Sequence, residues 1–276
     1  MISQAKSALL SAFEEPIVKA AETYEQACRT ASLHKLKLED FRPPGNSKAD
    51  TATLIDVYER RMRDKEHPGR PIYDLIRNYR TKCPLCGVGS VRQVDHHLPK
   101  SHYPYLAVVP INLLPVCSTC NFLKNDQVPL SGEEQTLHPY FDDVEGERWL
   151  YAELLVEGPT MLGGIAHSAT DWKVRFFVDP PPTWAHPLGA RVEYHFTLFE
   201  LNKLYEDQTA DELTTIGLAL NDLFDAEHSE DVQAHLLDLA RIRARPRQNN
   251  WMVALYEGLA ANAWYCAGGF RIVASG

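Results

Sequence analysis

CPLCGVGSVRQVDHHLPKSHYPYLAVVPINLLPVCSTCNFLK, residues 83–124, decides how the rest of the chain is read. Two Cys-x-x-Cys pairs, Cys83/Cys86 and Cys117/Cys120, bracket an Asp-His-His, and Asn121 follows the last cysteine directly. Each Cys-x-x-Cys turn presents two thiolates from one tight bend, and two such bends complete a tetrahedral zinc shell. A shell of four sulfurs is structural and leaves no coordination position open. The chemistry is therefore expected in the polar residues that the zinc would hold in place, above all Asp95, His96 and Asn121. Cys28 and Cys266 lie outside the pattern and read as small buried side chains.

At 276 residues and 45% apolar, the chain can bury a sizeable core and is long enough for one or two domains. The opening MISQAKSALLSAFEEP has too short an apolar run for a leader, and no stretch is long and apolar enough to span a membrane. The expected compartment is cytoplasmic, where paired cysteines mark a metal more often than disulfides. A net charge of -9 argues against a surface coated for general nucleic-acid binding. Ten basic residues against four acidic ones nevertheless fall between Arg60 and His102, a positive segment that leads into the Cys/His stretch and suits a phosphate backbone.

Outward from that stretch, Ile17, Ala20, Tyr24, Cys28 and Ala31 recur at helical spacing behind Pro16. FRPPGNSK, residues 41–48, breaks the chain, and Asp50 is placed to cap a helix carrying Leu54, Val57, Tyr58 and Met62. A short helix behind Pro71 puts Ile72, Leu75, Ile76 and Tyr79 on one face and delivers the chain to Cys83. Beyond the cysteines, WLYAELLVE and the alternating DWKVRFFVD read as two strands, a small hairpin extending the central domain. Helical pattern returns from Val192. Thr209 with Glu212 resembles a capping box, Ser229 with Glu230 and Asp231 a second N-terminus, and the last helix runs from Trp251 toward Trp264.

A four-cysteine cluster says nothing about catalysis by itself. Asp95-His96-x-x-Pro99, then Asn112 in INLLPVC, then CSTCN with Lys124 three residues after Asn121, resembles in order and spacing the HNH endonucleases, the ββα-metal fold. The resemblance covers about residues 83–126, and extends in LPKSHYPYLAVVPINLLPVCSTCN and HPYFDD to the small HNH nuclease subunits of bacterial phage-defence operons, of the Septu and retron-associated type. It implies a metal-dependent nuclease that leaves a 5'-phosphate and a 3'-hydroxyl. His96 would be the general base, Asp95 and Asn121 the ligands of a catalytic Mg²⁺ or Mn²⁺, and Asn112 the residue that orients His96. Lys124, His97 and Lys100 would meet the substrate. These roles suit the chemistry, since imidazole titrates near neutral pH and hard oxygen ligands suit Mg²⁺. His97 is the rival base, although the spacing before Pro99 favours His96. His102 and His138 are candidate further ligands.

The expected fold is α+β and mostly α, with a zinc-stapled ββα unit between helical regions. The expected divisions are 1–82 helical, 83–145 the nuclease core, 146–182 a β extension and 183–276 helical. DNA is the expected substrate, with RNA left open, and the role that of an anti-phage effector. A regulatory ATPase or a second copy of the chain is the expected protein partner, and no membrane is involved. The Arg241–Arg247 run could follow a second length of backbone or be a solvated helix end. The rival function is a non-catalytic zinc ribbon that binds nucleic acid or protein.

Overall fold

The computed structural model describes residues 11–157, 161–162, 165–166, 171–224 and 229–273. It is α+β and mostly helical, in two compact units: residues 1–143 with 186–199, and residues 144–185 with 200–276. The chain thus leaves the first unit, returns for one helix, and leaves again.

In the first unit, α1 (Glu14–Arg29) buries Ala20, Tyr24, Ala27 and Cys28 against Leu33, Phe41, Leu98, Tyr103 and Leu106. Helix α2 (Lys48–Val57) starts behind Ser47, whose hydroxyl accepts from Asp50 N at 3.3 Å. The cap is thus Ser47, and the expected cap Asp50 lies inside the first turn, where its charge still meets the helix dipole. A wider π turn (Tyr58–Arg63) continues the helix and buries Tyr58 and Met62. In α3 (Arg70–Asn78) the buried residue is Tyr73, whereas Ile72, Leu75 and Tyr79 are exposed. The apolar spacing was visible in the sequence, but the packed side of this helix is set by Tyr73 joining Tyr58, Met62, Val94 and Leu113.

Strands β1 (Gln93–His96) and β2 (Leu113–Val116) pair antiparallel, with Asp95 opposite Leu114 and His96 opposite Leu113. Helix α4 (Ser118–Lys124) follows β2 after a single residue, Cys117. Helix α5 (Leu188–Leu198) returns to this unit and buries Arg191, Val192 and His195.

In the second unit, β3 (Leu150–Glu157) and β6 (Asp171–Val178) form an antiparallel ladder, and β4 (Met161–Leu162) pairs with β5 (Ile165–Ala166). Val174 and Phe176 are buried, as the alternation required. The ladder belongs with the C-terminal helices rather than with the cysteine segment. Helix α6 (Leu201–Leu223) runs unbroken through Thr209, whose hydroxyl donates to Glu206 O at 2.7 Å. The expected capping box is therefore internal to a helix, where a threonine satisfies itself on its own backbone.

Helix α7 spans Ser229–Ala244, and the expected cap at Ser229 and Glu230 lies outside the described side chains. Helix α8 (Trp251–Ala260) is capped by Asn250, whose side chain accepts from Met252 N at 2.9 Å. A π turn (Tyr265–Gly269) and α9 (Phe270–Val273) complete the described chain. The arginine run is partly paired, Arg241 with Asp238 and Arg247 with Glu145. No helix among the described residues is long and apolar enough to cross a membrane.

Close approach of α8 to β3 sets one sharp requirement. A Cβ on Gly258 would lie 2.3 Å from the Ala152 carbonyl oxygen, a backbone atom that cannot step aside. Gly258→Ala should cost about 1–3 kcal/mol through overpacking, read as a lower midpoint of chemical unfolding. An unchanged midpoint would contradict the packing.

Candidate functional site

Four buried sulfurs come together at the start of the site. Cys83, Cys86, Cys117 and Cys120 offer atoms that all lie within 4.8 Å of one another, with Cys86 Sγ and Cys117 Sγ 4.0 Å apart. A tetrahedron with 2.3 Å zinc–sulfur bonds has an edge of about 3.8 Å, so the cluster needs only slight contraction to hold such an ion. Backbone N–H groups support the sulfurs, Gly89 N donating to Cys86 Sγ at 3.3 Å and Cys120 N to Cys117 Sγ at 3.4 Å. Hydrogen bonds from Cys120, Cys83 and Cys86 pull the Cys117 thiol far down, and Cys120 is pushed up chiefly by its bond to Cys117. Clustered thiols share their protons unevenly in this way until a cation displaces them. None of the six cysteines is in a disulfide, and Cys28 and Cys266 are buried apart from the cluster.

Sulfur packing forbids a side chain at Gly89. A Cβ there would sit 2.7 Å from Cys117 Cβ and 2.8 Å from its sulfur. Gly89→Ala is expected to weaken metal retention at least about tenfold, measured as the chelator concentration that strips the metal. Unaltered retention would mean that the cluster is looser than its geometry implies.

Strand β1 carries the candidate catalytic pair to the edge of this cluster. Successive side chains alternate, so Gln93 and Asp95 face α4 while Val94 and His96 face the Tyr58 side. His96 is 3% exposed, and its ring meets Tyr58 edge-on at 4.4 Å. Its Nε2 lies 2.9 Å from the Ala107 carbonyl oxygen. A carbonyl only accepts, so Nε2 carries the proton and Nδ1 keeps the lone pair. Burial lowers the imidazole pKa to about 4, opposed by the Ala107 bond, with Lys100 pushing it further down and Asp95 pulling it up.

On the other pleat face, Asp95 meets α4. Lys124 Nζ lies 3.0 Å from Asp95 Oδ2, with the lysine side chain 4% exposed and the aspartate 22%. With its amide nitrogen toward Asp95, Asn121 donates to both carboxylate oxygens at 3.1 and 3.3 Å, and its oxygen accepts from Gln93 Nε2 at 2.9 Å. Lys124 was expected to reach outward to a phosphate; in the structure it is turned inward onto Asp95.

Asn112 and His97 also differ from expectation. The Asn112 amide does not touch His96. Its Oδ1 accepts from Leu98 N at 2.8 Å, and its Nδ2 donates to Leu98 O at 3.0 Å and Leu106 O at 3.3 Å. It therefore pins the loop that delivers the Ala107 carbonyl to His96, one step removed from the imidazole. His97, expected to meet the substrate, is buried with its Nε2 3.2 Å from Thr136 Oγ1 and its ring packed on His138 at 4.3 Å. Lys100 remains partly exposed, 3.9 Å from Glu59 and above the Tyr58 ring.

His138 has both nitrogens engaged, with Tyr24 Oη 2.9 Å from Nε2 and Tyr140 N donating to Nδ1 at 3.2 Å. It is a packing residue in this arrangement. The carbonyl of His102 accepts from Arg42 at 2.8 Å, and its ring belongs to no metal cluster among the described residues.

Two supports were not foreseen. Arg191 of α5, 3% exposed, pairs with both Asp142 oxygens at 2.8 and 2.5 Å. His195 of the same helix accepts from Leu137 N at 3.2 Å and donates through Nε2 to Leu85 O at 2.7 Å, holding the first cysteine turn. Their only signal in sequence was a charged and a titratable residue on an otherwise apolar helical stripe.

Burial holds His138 neutral, lowering its pKa to about 4. Above its ordinary value of about 6.5 this leaves stability untouched. As the pH falls below that value, the unfolded chain takes up a proton that the folded chain refuses, and stability is lost at about 1.4 kcal/mol per pH unit until the folded value is reached. Between pH 7 and pH 5, His138→Gln should lose about 2 kcal/mol less than the parent in chemical unfolding. Equal losses would show that His138 already titrates normally.

Fold and site together define a mixed α+β protein with a buried four-cysteine cluster that can hold a metal such as zinc. Protein Ea31 of Escherichia phage lambda is 31% identical over 224 residues, which cover 75% of this chain and 71% of that one. The chain belongs to the same family as that protein. No family model matches the chain, and no solved structure does. The relative's name states no activity, so membership in the family leaves the chemistry to be argued from the site.

Proposed function

We propose that this protein is a metal-dependent HNH endonuclease that hydrolyses phosphodiester bonds of DNA. The observation that carries the reading is the meeting of Asp95 with Asn121 and Lys124 of α4, with His96 one residue along β1 from the carboxylate. The β1–β2 hairpin followed at once by α4, closed at both ends by the cysteine pairs, is the arrangement that a ββα-metal unit requires. A closed shell of four thiolates would be structural, and the reaction would take place at the polar groups beside it.

The residues fit a hard divalent ion such as Mg²⁺ or Mn²⁺. If the Asn121 amide turns its oxygen toward Asp95, the two residues present oxygens 3.1 Å apart. Neighbouring oxygen ligands of Mg²⁺ are about 2.9 Å apart, so the Asp95 carboxylate and the Asn121 amide oxygen would suit such an ion. Such an ion would stabilise charge on the scissile phosphate. His96, uncharged at neutral pH with Nδ1 as its acceptor, would take the proton of the attacking water. Tyr58 and the Ala107 carbonyl hold that ring, and Lys100 is exposed enough to receive a phosphate oxygen. An anti-phage role and a regulatory ATPase partner rest on the sequence resemblance alone.

A cleavage assay on zinc-loaded protein tests this reading, with supercoiled plasmid, single-stranded DNA and RNA offered in Mg²⁺, Mn²⁺ or EDTA. Metal-dependent cutting is expected, with His96→Ala and Asp95→Asn each a hundredfold slower or worse and zinc content unchanged. Cutting that survives in both variants, or binding of nucleic acid without any cutting, would contradict it. The second result would favour the zinc ribbon.

A further inference from the structure

Lys124 is the least expected feature of the site. A lysine meant for substrate would be exposed, yet its Nζ lies 3.0 Å from Asp95 Oδ2 and also donates to Asn125 O at 3.2 Å. Asn121 completes the enclosure, with its nitrogen on both Asp95 oxygens and its oxygen held by Gln93. Both oxygens of Asp95 thus accept from side chains of α4. The charges point the same way. One carboxylate faces the Lys124 ammonium, Lys100 nearby lies beside Glu59, and Asn121 and Gln93 are neutral. A free dication finds the Asp95 carboxylate already paired with an ammonium, whereas a phosphodiester brings a negative charge of its own.

We propose that Lys124 closes the Asp95–Asn121 site to free divalent metal and opens it when a nucleic-acid phosphate arrives. The inference rests on the nuclease reading. On arrival of the phosphate, Nζ leaves Asp95 Oδ2 for a phosphate oxygen and the Asn121 amide turns its oxygen toward the ion. Metal and nucleic acid then bind as a pair, each strengthening the other by the same factor. Lys124 is in this account a positioning residue for the metal as well as a phosphate contact.

Mn²⁺ binding, followed by the paramagnetic signal of the free ion, reads this directly. The full zinc-loaded chain is used in a His96→Ala background, so that a short DNA duplex survives. The parent is expected to bind Mn²⁺ at least about tenfold tighter with duplex than without. Lys124→Met and Lys124→Gln should bind Mn²⁺ without duplex about tenfold tighter than the parent and lose most of the duplex dependence. Lys124→Arg should behave as the parent. Gln can still donate to Asp95, which guards against loss of folding in the Met variant, and zinc content checks both. Two results overturn the inference while leaving the nuclease reading intact: equal Mn²⁺ affinity of the parent with and without duplex, or no tightening in the Met and Gln variants, in each case with binding lost in Asp95→Asn. If Asp95→Asn binds Mn²⁺ as well as the parent in the presence of duplex, the nuclease reading fails and the inference fails with it.

Discussion

Closure of the four-sulfur cluster is the contact on which the site's geometry depends. Cys83 and Cys86 lie in a turn before β1, Cys117 lies between β2 and α4, and Cys120 lies in the first turn of α4. Bringing the two pairs together closes a loop that contains the whole hairpin and the 97–112 segment. A four-residue pair of strands is too short to be stable in water alone. The cluster, with Gly89 packed against Cys117 and Leu85 held by His195, supplies the missing constraint. Metal binding at such a site contributes to folding free energy, because the unfolded chain has no preformed cluster to occupy.

Two faces of one short strand then divide the chemistry. Val94 and His96 join an apolar cluster with Tyr58, Tyr73 and Leu113, and that burial keeps the imidazole uncharged. Gln93 and Asp95 lie over α4, where Lys124 and Asn121 answer the carboxylate. A regular strand cannot aim Asp95 and His96 in one direction. At the end of the strand they keep to opposite faces, Asp95 toward α4 and His96 toward Tyr58 and the Ala107 carbonyl. Asn112 fixes the loop beyond, and through the Ala107 carbonyl it also fixes the imidazole tautomer.

Features of the chain that depend on local spacing were legible in the sequence. The cysteine pairs, the alternation of Val174 and Phe176, and the burial of Tyr24 and Cys28 on α1 each follow from a pattern within a few residues. What was not legible depended on partners far along the chain. Thr209 with Glu212 has the letters of a cap, but the helix around it begins at Leu201 and buries Tyr205, Thr209 and Leu213. The stripe of Ile72, Leu75 and Tyr79 gave way to Tyr73, which had Val94 to reach. His97 looked like a second candidate base until His138, forty-one residues on, closed over it. Nothing near residues 186–199 announced that Arg191 and His195 would return to hold Asp142 and Leu85.

Hydrogen exchange along the first unit, before and after the cluster's metal is removed with a chelator, tests most directly whether the cluster holds the site. Loss of protection throughout β1, β2 and α4, with the α1 core around Tyr24 still protected, is the predicted result. Undiminished protection of the Asp95 and His96 amides in the stripped protein would contradict it.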